Sequence, residues 1–386
     1  MGNHRRDHAE RRRRGVSRGV VATVVVLLLL AAAVVGWFAV RDRSAEEAEQ
    51  AARACVEGEA TLAVTADPDV ADVLRTLGES WTAGGPVVRD HCITTAVTAA
   101  PTAVAAEALA ATTYDPSAAG PEPALWVPSD TAAAAAVAAR GTDITPRSVV
   151  TSPVVLGAAP TVADGLAAAG SRWTDLPALA SSADPLRLAL PTGPATAATL
   201  VAVATDPGTE TQPLTVDRAT SPAAVSAVSR LALAARDVPA DIADVDAALD
   251  TIVRAPDPTA APVRAVPVTE QQLAMRIREG QQLAAFRPAG PTPMADHPGL
   301  VLATADPTAR AAAAEFLDYV RSAPGREAFL AAGFRVPGES TDTPDPIVGL
   351  DFPAVDPVAP VPTADARAAV LGTAAEPSRP ASTTVL

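Results

Sequence analysis

Between residues 55 and 92 the hydrophobic pattern changes period twice. Thr61-Leu62-Ala63-Val64-Thr65 is a short, mostly apolar, β-branched run, as a buried strand requires. Asp67 then stands where a helix N-cap belongs, with Pro68 as first helical residue. Val70, Val73, Leu74, Leu77 and Trp81 follow at helical spacing, which predicts one apolar face. Gly84-Gly85 stops that helix, and a second apolar run extends from Ile93 to Val97. Strand, crossover helix and strand form a βαβ unit whose two strands are parallel neighbours.

The same alternation continues along the chain. Strands are predicted at 124–127, at 147–156 with a kink at Ser152-Pro153, at 187–190, weakly at 212–216, and at 263–268 and 299–303. Helices are predicted after Ser129 or Asp130 up to Gly141, over 160–170, 195–204, from Ser221, over 239–253, after the Thr269 cap, from Asp306-Pro307, and over 325–332. Strands alternating with helices imply a mostly parallel α/β sheet covered on both faces. From Pro337 onward proline, aspartate and threonine dominate and the periodicity fades. A Pro-rich tail is therefore expected over 338–386, disordered or extended through 382.

One apolar stretch has a different length. Residues 19–40 hold 22 residues without a charge, enough to span a bilayer as a helix. Seven arginines and two acids precede it in residues 1–18, which by the positive-inside rule keeps that basic tail cytoplasmic. The expectation is a single-pass anchor in the cell membrane, a charged stalk over 41–54 and an extracellular remainder. A cleaved signal peptide is the competing reading; its apolar core would normally be shorter and followed by a small-residue cleavage site.

Charge and cysteine content sharpen this picture. The formal net charge is −14 and every basic residue is arginine. An acidic remainder without basic-aromatic stripes argues against nucleic acid as a partner. Aromatic residues are only 3%, so the core must be built from Val, Leu, Ala and Ile. Cys55 and Cys92 each lie just upstream of one of two parallel strands. They should meet at one sheet edge, which suits a disulfide in an exported chain; two buried free thiols are the alternative.

Catalytic chemistry finds little support. The absence of lysine removes P-loop and Schiff-base mechanisms, and no GxSxG elbow exists. Past residue 40 only His91 and His297 occur; His91 is read as exposed at the strand edge beside Cys92, and His297 as a loop histidine. With both cysteines paired no zinc set can be assembled. The expectation is a non-enzyme with no cofactor and no metal.

The order of these pieces resembles the extracellular solute-binding proteins of the type II periplasmic-binding fold, in particular a membrane-anchored actinobacterial branch. The resemblance is carried by Leu62-Ala63-Val64-Thr65-Ala66, the cysteine pair, Ala124-Leu125-Trp126-Val127-Pro128, Thr151-Ser152-Pro153-Val154-Val155-Leu156, and Ala313–Tyr319 followed by Gly333-Phe334-Arg335. It covers about residues 55–337. It implies two α/β lobes joined by two crossings, lobe one from 55–148 and 300–337 and lobe two from 149–299, with a small solute held in the cleft. In that branch the domain often precedes a von Willebrand factor A domain with a DxSxS metal motif, which this chain lacks. A transporter or a von Willebrand factor A-type protein is thereby implied as partner. Asp67-Pro68-Asp69 stands where oxyanion-binding members present a hydroxyl residue, and two carboxylates repel an anion.

In open parallel sheets ligands sit beyond the carboxyl ends of the strands, where helix N-termini converge. That rule selects Thr65, Asp67, Thr98, Ser129, Asp130, Thr151, Ser152, Thr192, Gly193 and Thr196. Read blandly, the same residues are helix caps and turns. The loop at Thr192-Gly193-Pro194 is expected to face Asp67-Pro68 across the cleft. Two function classes follow: a substrate-binding receptor for a small solute, or an extracellular interaction or assembly module that keeps the fold without a ligand.

Overall fold

The computed structural model describes residues 55–138, 147–239, 244–338 and 340–378, with Ile242 and positions 27, 30, 34–38 and 41 besides. The basic tail, the stalk and most of the 19–40 stretch lie outside the described residues. Among those described, no helix is long and apolar enough to cross a membrane.

Two sheets organise the chain. The first is built from β1 (Gly58–Ala66), β2 (Val87–Val88), β3 (His91–Ala99), β4 (Leu125–Val127), β5 (Arg147–Ser148) and β10 (Pro298–Val301), in the order β2-β3-β1-β4-β10-β5. β1 lies parallel to β3 and to β4, as the βαβ pattern requires. The crossover helix Pro68–Ala83 buries Val70, Leu74, Leu77 and Trp81 against this sheet. Gly78 makes the contact close: a Cβ there would stand 2.5 Å from the Thr95 Oγ1 on β3. Helix Pro307–Val320 completes the layer with Phe316, whose ring lies 5.4 Å from that of Trp81.

The second sheet contains β6 (Ser152–Ala158), β7 (Ala265–Thr269), β8 (Ala284–Phe286) and β9 (Met294–Ala295). All its pairings are antiparallel, which corrects the expectation of a mostly parallel sheet. The predicted strand at 187–190 is reduced to one bridge, Leu188 to Ala265, and 212–216 leads into a short helix, Val216–Ala219. Pro213 denies the second stretch a ladder donor.

The chain passes between the sheets where β5 leads to β6 and where β9 leads to β10. A chain that leaves one lobe must come back, so the two passages run antiparallel: Ser148 pairs with Pro298 and Ser152 with Ala295. A third segment joins them, because Thr151 and Arg335 exchange backbone hydrogen bonds of 2.8 and 2.9 Å. The result is a mixed α/β, two-lobed fold with a three-stranded junction.

At the first sheet's edge, Cys55 and Cys92 form a disulfide with Cα atoms 5.2 Å apart. Closing a loop of this length stabilises the fold by about 4 kcal/mol in the chain-entropy model.

Residues 340–378, expected as part of a disordered tail, are ordered against the second lobe; 379–386 lie outside the described residues. Helix Ala364–Ala375, capped by the Thr363 side chain, packs on helices Pro194–Ala204 and Pro222–Ala235. Leu350, Phe352, Ala366 and Val370 enter the core of the second lobe. The segment before the helix is pinned by Thr292, which donates to the Pro357 carbonyl and accepts from the Ala359 amide, each at 2.9 Å. The helix is alanine-rich with few large apolar residues, so its buried side leaves almost no trace in the hydrophobic pattern.

Candidate functional site

A cavity of about 690 Å³ opens at the junction of the lobes. Its floor is the junction itself, with Thr151, Met294, Ala295, Asp296 and Arg335. One wall is a face of helix Pro194–Ala204, because Pro194, Ala198, Val201 and Thr205 recur at helical spacing. Arg172, Trp173 and Thr174 extend that wall. The first lobe contributes Asp130, Thr131 and Ala132, with Pro337 beside Arg335 at the junction. The remaining side is the C-terminal segment, through Phe352, Val355, Val358 and Val361.

Charged groups at this cavity already hold partners. Asp130 caps its helix through the Ala133 amide at 2.8 Å and pairs with Arg367 of the C-terminal helix at 2.9 Å. Asp296 accepts from the Thr131 amide at 2.7 Å, from the Thr131 hydroxyl and from the Ser148 hydroxyl. Arg172 pairs with Glu210 at 3.2 Å. Arg335, 2% exposed, makes a two-pronged bond to Glu270, 1% exposed, at 2.8 and 3.1 Å. Among the described residues no group of three or more His, Cys, Asp or Glu is placed to hold a metal ion.

Of the ten residues the strand-end rule selects, the structure brings Asp130 and Thr151 to the cavity lining. Asp67 caps helix Pro68–Ala83 and accepts from the Thr102 amide and hydroxyl, the latter at 2.6 Å. The Ser129 amide donates to that same Thr102 oxygen. Thr65 and Thr196 are buried in their elements, Thr98 lies so close to Gly120 that a Cβ there would stand 2.8 Å from its Cγ2, and the Ser152 hydroxyl accepts from the Gln271 amide. Thr192 is exposed and Gly193 precedes the helix on the cavity wall. The group that reaches the first helix from the other lobe is Gln272, whose Nε2 donates to Asp69 Oδ1 at 2.7 Å. His297 lies in the connection between β9 and β10, as a loop histidine, and is fully buried with its ring edge-on to Phe334. His91 remains at the edge, bonded to the Arg89 carbonyl.

Sequence reasoning missed the lobe-two wall and the C-terminal side. A signal existed for the wall: helix Pro194–Ala204 has no charged residue on any face, so both its sides must be covered.

Asp69 has a strongly displaced pKa. Burial, and next the neighbouring Asp67 charge, push it up from 3.8 to about 6, against the opposing pull of His297 and the Gln272 bond. The folded chain therefore binds more protons than the unfolded chain between about pH 4 and 6, and stability falls as pH rises through that window. Asp69→Asn keeps an acceptor for Gln272 and removes the charge. Its melting temperature at about pH 7 should exceed that of the parent, and the decline across the window should disappear. Parallel melting curves for the two proteins from about pH 4 to 7 would show that Asp69 does not titrate there.

Residues 62–335 match the family described as bacterial extracellular solute-binding protein. The chain belongs to that family. An uncharacterised protein of Mycobacterium tuberculosis, found in two strains, is 32% identical over 353 residues, covering 84% of this chain and 49% of the relative. This solute-binding protein thus spans about half the length of the curated relatives it matches. Among solved structures, iron-bound HitA from Pseudomonas aeruginosa aligns with a TM-score of 0.55 at 11% identity, covering 83% of this chain and 99% of that one. A periplasmic thiamin binding protein aligns with a TM-score of 0.55 at 12% identity, covering 83% and 97%. At such identities the likeness is one of fold, the type II periplasmic-binding fold.

Proposed function

We propose that this solute-binding protein is a membrane-anchored extracellular receptor that holds a small solute in the cavity between its lobes and catalyses no reaction. The cavity at the junction carries this reading: ligand sites of this size, concave and mostly apolar with a few polar groups, are where small molecules bind. In this reading residues 1–18 lie inside, 19–40 cross the membrane, 41–54 form a stalk, and both lobes stand outside. Asp130 and Thr151 remain site residues, and a transporter or a von Willebrand factor A-type protein receives the signal or the solute. The HitA and thiamin-protein likenesses support the fold and leave the solute open.

Closure makes a receptor bind only if the closed form adds contacts that the open form lacks. The test is thermal denaturation of the full chain in lipid nanodiscs against a panel of charged and uncharged solutes. At least one solute should raise the melting temperature by a ligand-concentration-dependent amount, and Ala198→Trp on the cavity wall should abolish that rise. The Arg367–Asp130 pair, which ties the C-terminal helix to the first lobe across the cavity, favours the second reading, an interaction module with fixed lobes. No shift with any solute, together with one fixed shape in solution scattering, would decide for that module.

A further inference from the structure

The geometry points to an uncharged solute with an apolar body as the ligand of this cavity; the inference rests on the receptor reading and narrows it. Six charged side chains line the cavity: Asp130, Glu210 and Asp296 against Arg172, Arg335 and Arg367. Their charges balance, and each is committed within the protein. Arg367 holds Asp130, Arg172 holds Glu210, and Arg335 holds the buried Glu270. Asp296 takes three hydrogen bonds from Thr131 and Ser148. An anion entering here must either break one of those pairs, leaving a carboxylate unmatched, or lose its water with no cation to replace it. Both are costly in an apolar enclosure. A cation must break the Asp130 or Glu210 pair, or draw Asp296 away from the three neutral donors that hold it.

The rest of the lining suits an apolar body. The lobe-two wall presents Val201 and Trp173, the floor Met294, and the C-terminal segment Phe352 and Val355. Thr174 and Gln212 add neutral hydrogen-bonding groups at the same wall, which match a hydroxyl, carbonyl or amide on the solute. The C-terminal segment is therefore part of the site. Without it the cavity would be an open groove, and an apolar solute would keep one side in water.

The test uses N-phenyl-1-naphthylamine, a neutral apolar fluorophore, with the full chain in nanodiscs and the empty-disc signal subtracted. Excited in its own absorption band, the probe should bind saturably at one site per chain with blue-shifted emission. Decanol should displace it; sulfate, phosphate and thiamine should not. Val201→Trp fills the cavity and should weaken the probe at least tenfold, and Met294→Trp on the floor should do the same should the first variant fold poorly. If sulfate, phosphate or thiamine raises the melting temperature and Val201→Trp removes that effect, the receptor reading stands and the uncharged class is overturned. If the probe binds equally to parent and both filled variants, and no solute shifts the melting temperature, the cavity is not a ligand site and both readings fall.

Discussion

Arg335→Met should lower stability by about 3 kcal/mol, because it strands a buried carboxylate. Glu270 and Arg335 are each at least 98% enclosed, and their two bonds run between the first residue of helix Glu270–Arg278 and the third strand of the junction. Arg287 stays within 3.3 Å of Glu270, and the carboxylate sits at a helix N-terminus where the dipole favours it. Those two residual supports place the loss at the lower end of the range for a broken buried pair. Adding Glu270→Gln to Arg335→Met removes the buried charge that Arg287 alone compensates incompletely and should restore more than half of the loss, a coupling that chemical denaturation of the four proteins of the cycle measures. The pair also fixes the segment bonded to Thr151, so the single variant should show faster hydrogen exchange at the 149–151 and 334–336 amides. Additive losses in the double variant would show that the two side chains do not act as a pair.

Val370→Asp should lose about 4 kcal/mol or more, since it puts a carboxylate without a partner into the second lobe's core. Val370 is 0% exposed there, beside Ala366 of the same helix. For a lobe of this size the loss corresponds to a fall in melting temperature on the order of 10 °C. Leu371→Asp on the same helix is the control: its side chain is 37% exposed, and a surface change of this kind usually stays within about 0.5 kcal/mol. Release of the helix should also open the cavity side formed by Phe352 and Val355 to exchange and proteolysis. Equal melting temperatures for the two variants would remove the C-terminal segment from the fold and from the proposed site.

Much of this protein is decided by local sequence. Strand β1, its N-capped helix and strand β3 follow from periods of 2 and 3.6 and from the Asp67-Pro68 start, because those signals act within a few residues. The disulfide follows too, since a βαβ unit fixes which strand ends are neighbours. The return of the chain at 298–301 and the helix after Asp306 carry equally local signals.

Other features exist only in the folded chain. Nothing near Ser152 or Ala265 records that β6 and β7 run antiparallel across more than a hundred intervening residues. The strand-end rule selects Asp67 and Ser152, whose polar atoms serve a cap and a core bond, because local sequence says that a helix starts but not what its N-terminus meets. The Gln272–Asp69 bond joins residues 203 apart and Arg367–Asp130 joins residues 237 apart, so no short-range pattern contains them. Composition marked the stretch after Pro337 as unstructured because proline and alanine carry little periodicity. Burial against the second lobe overrides that weak preference, and in doing so it supplies one side of the cavity.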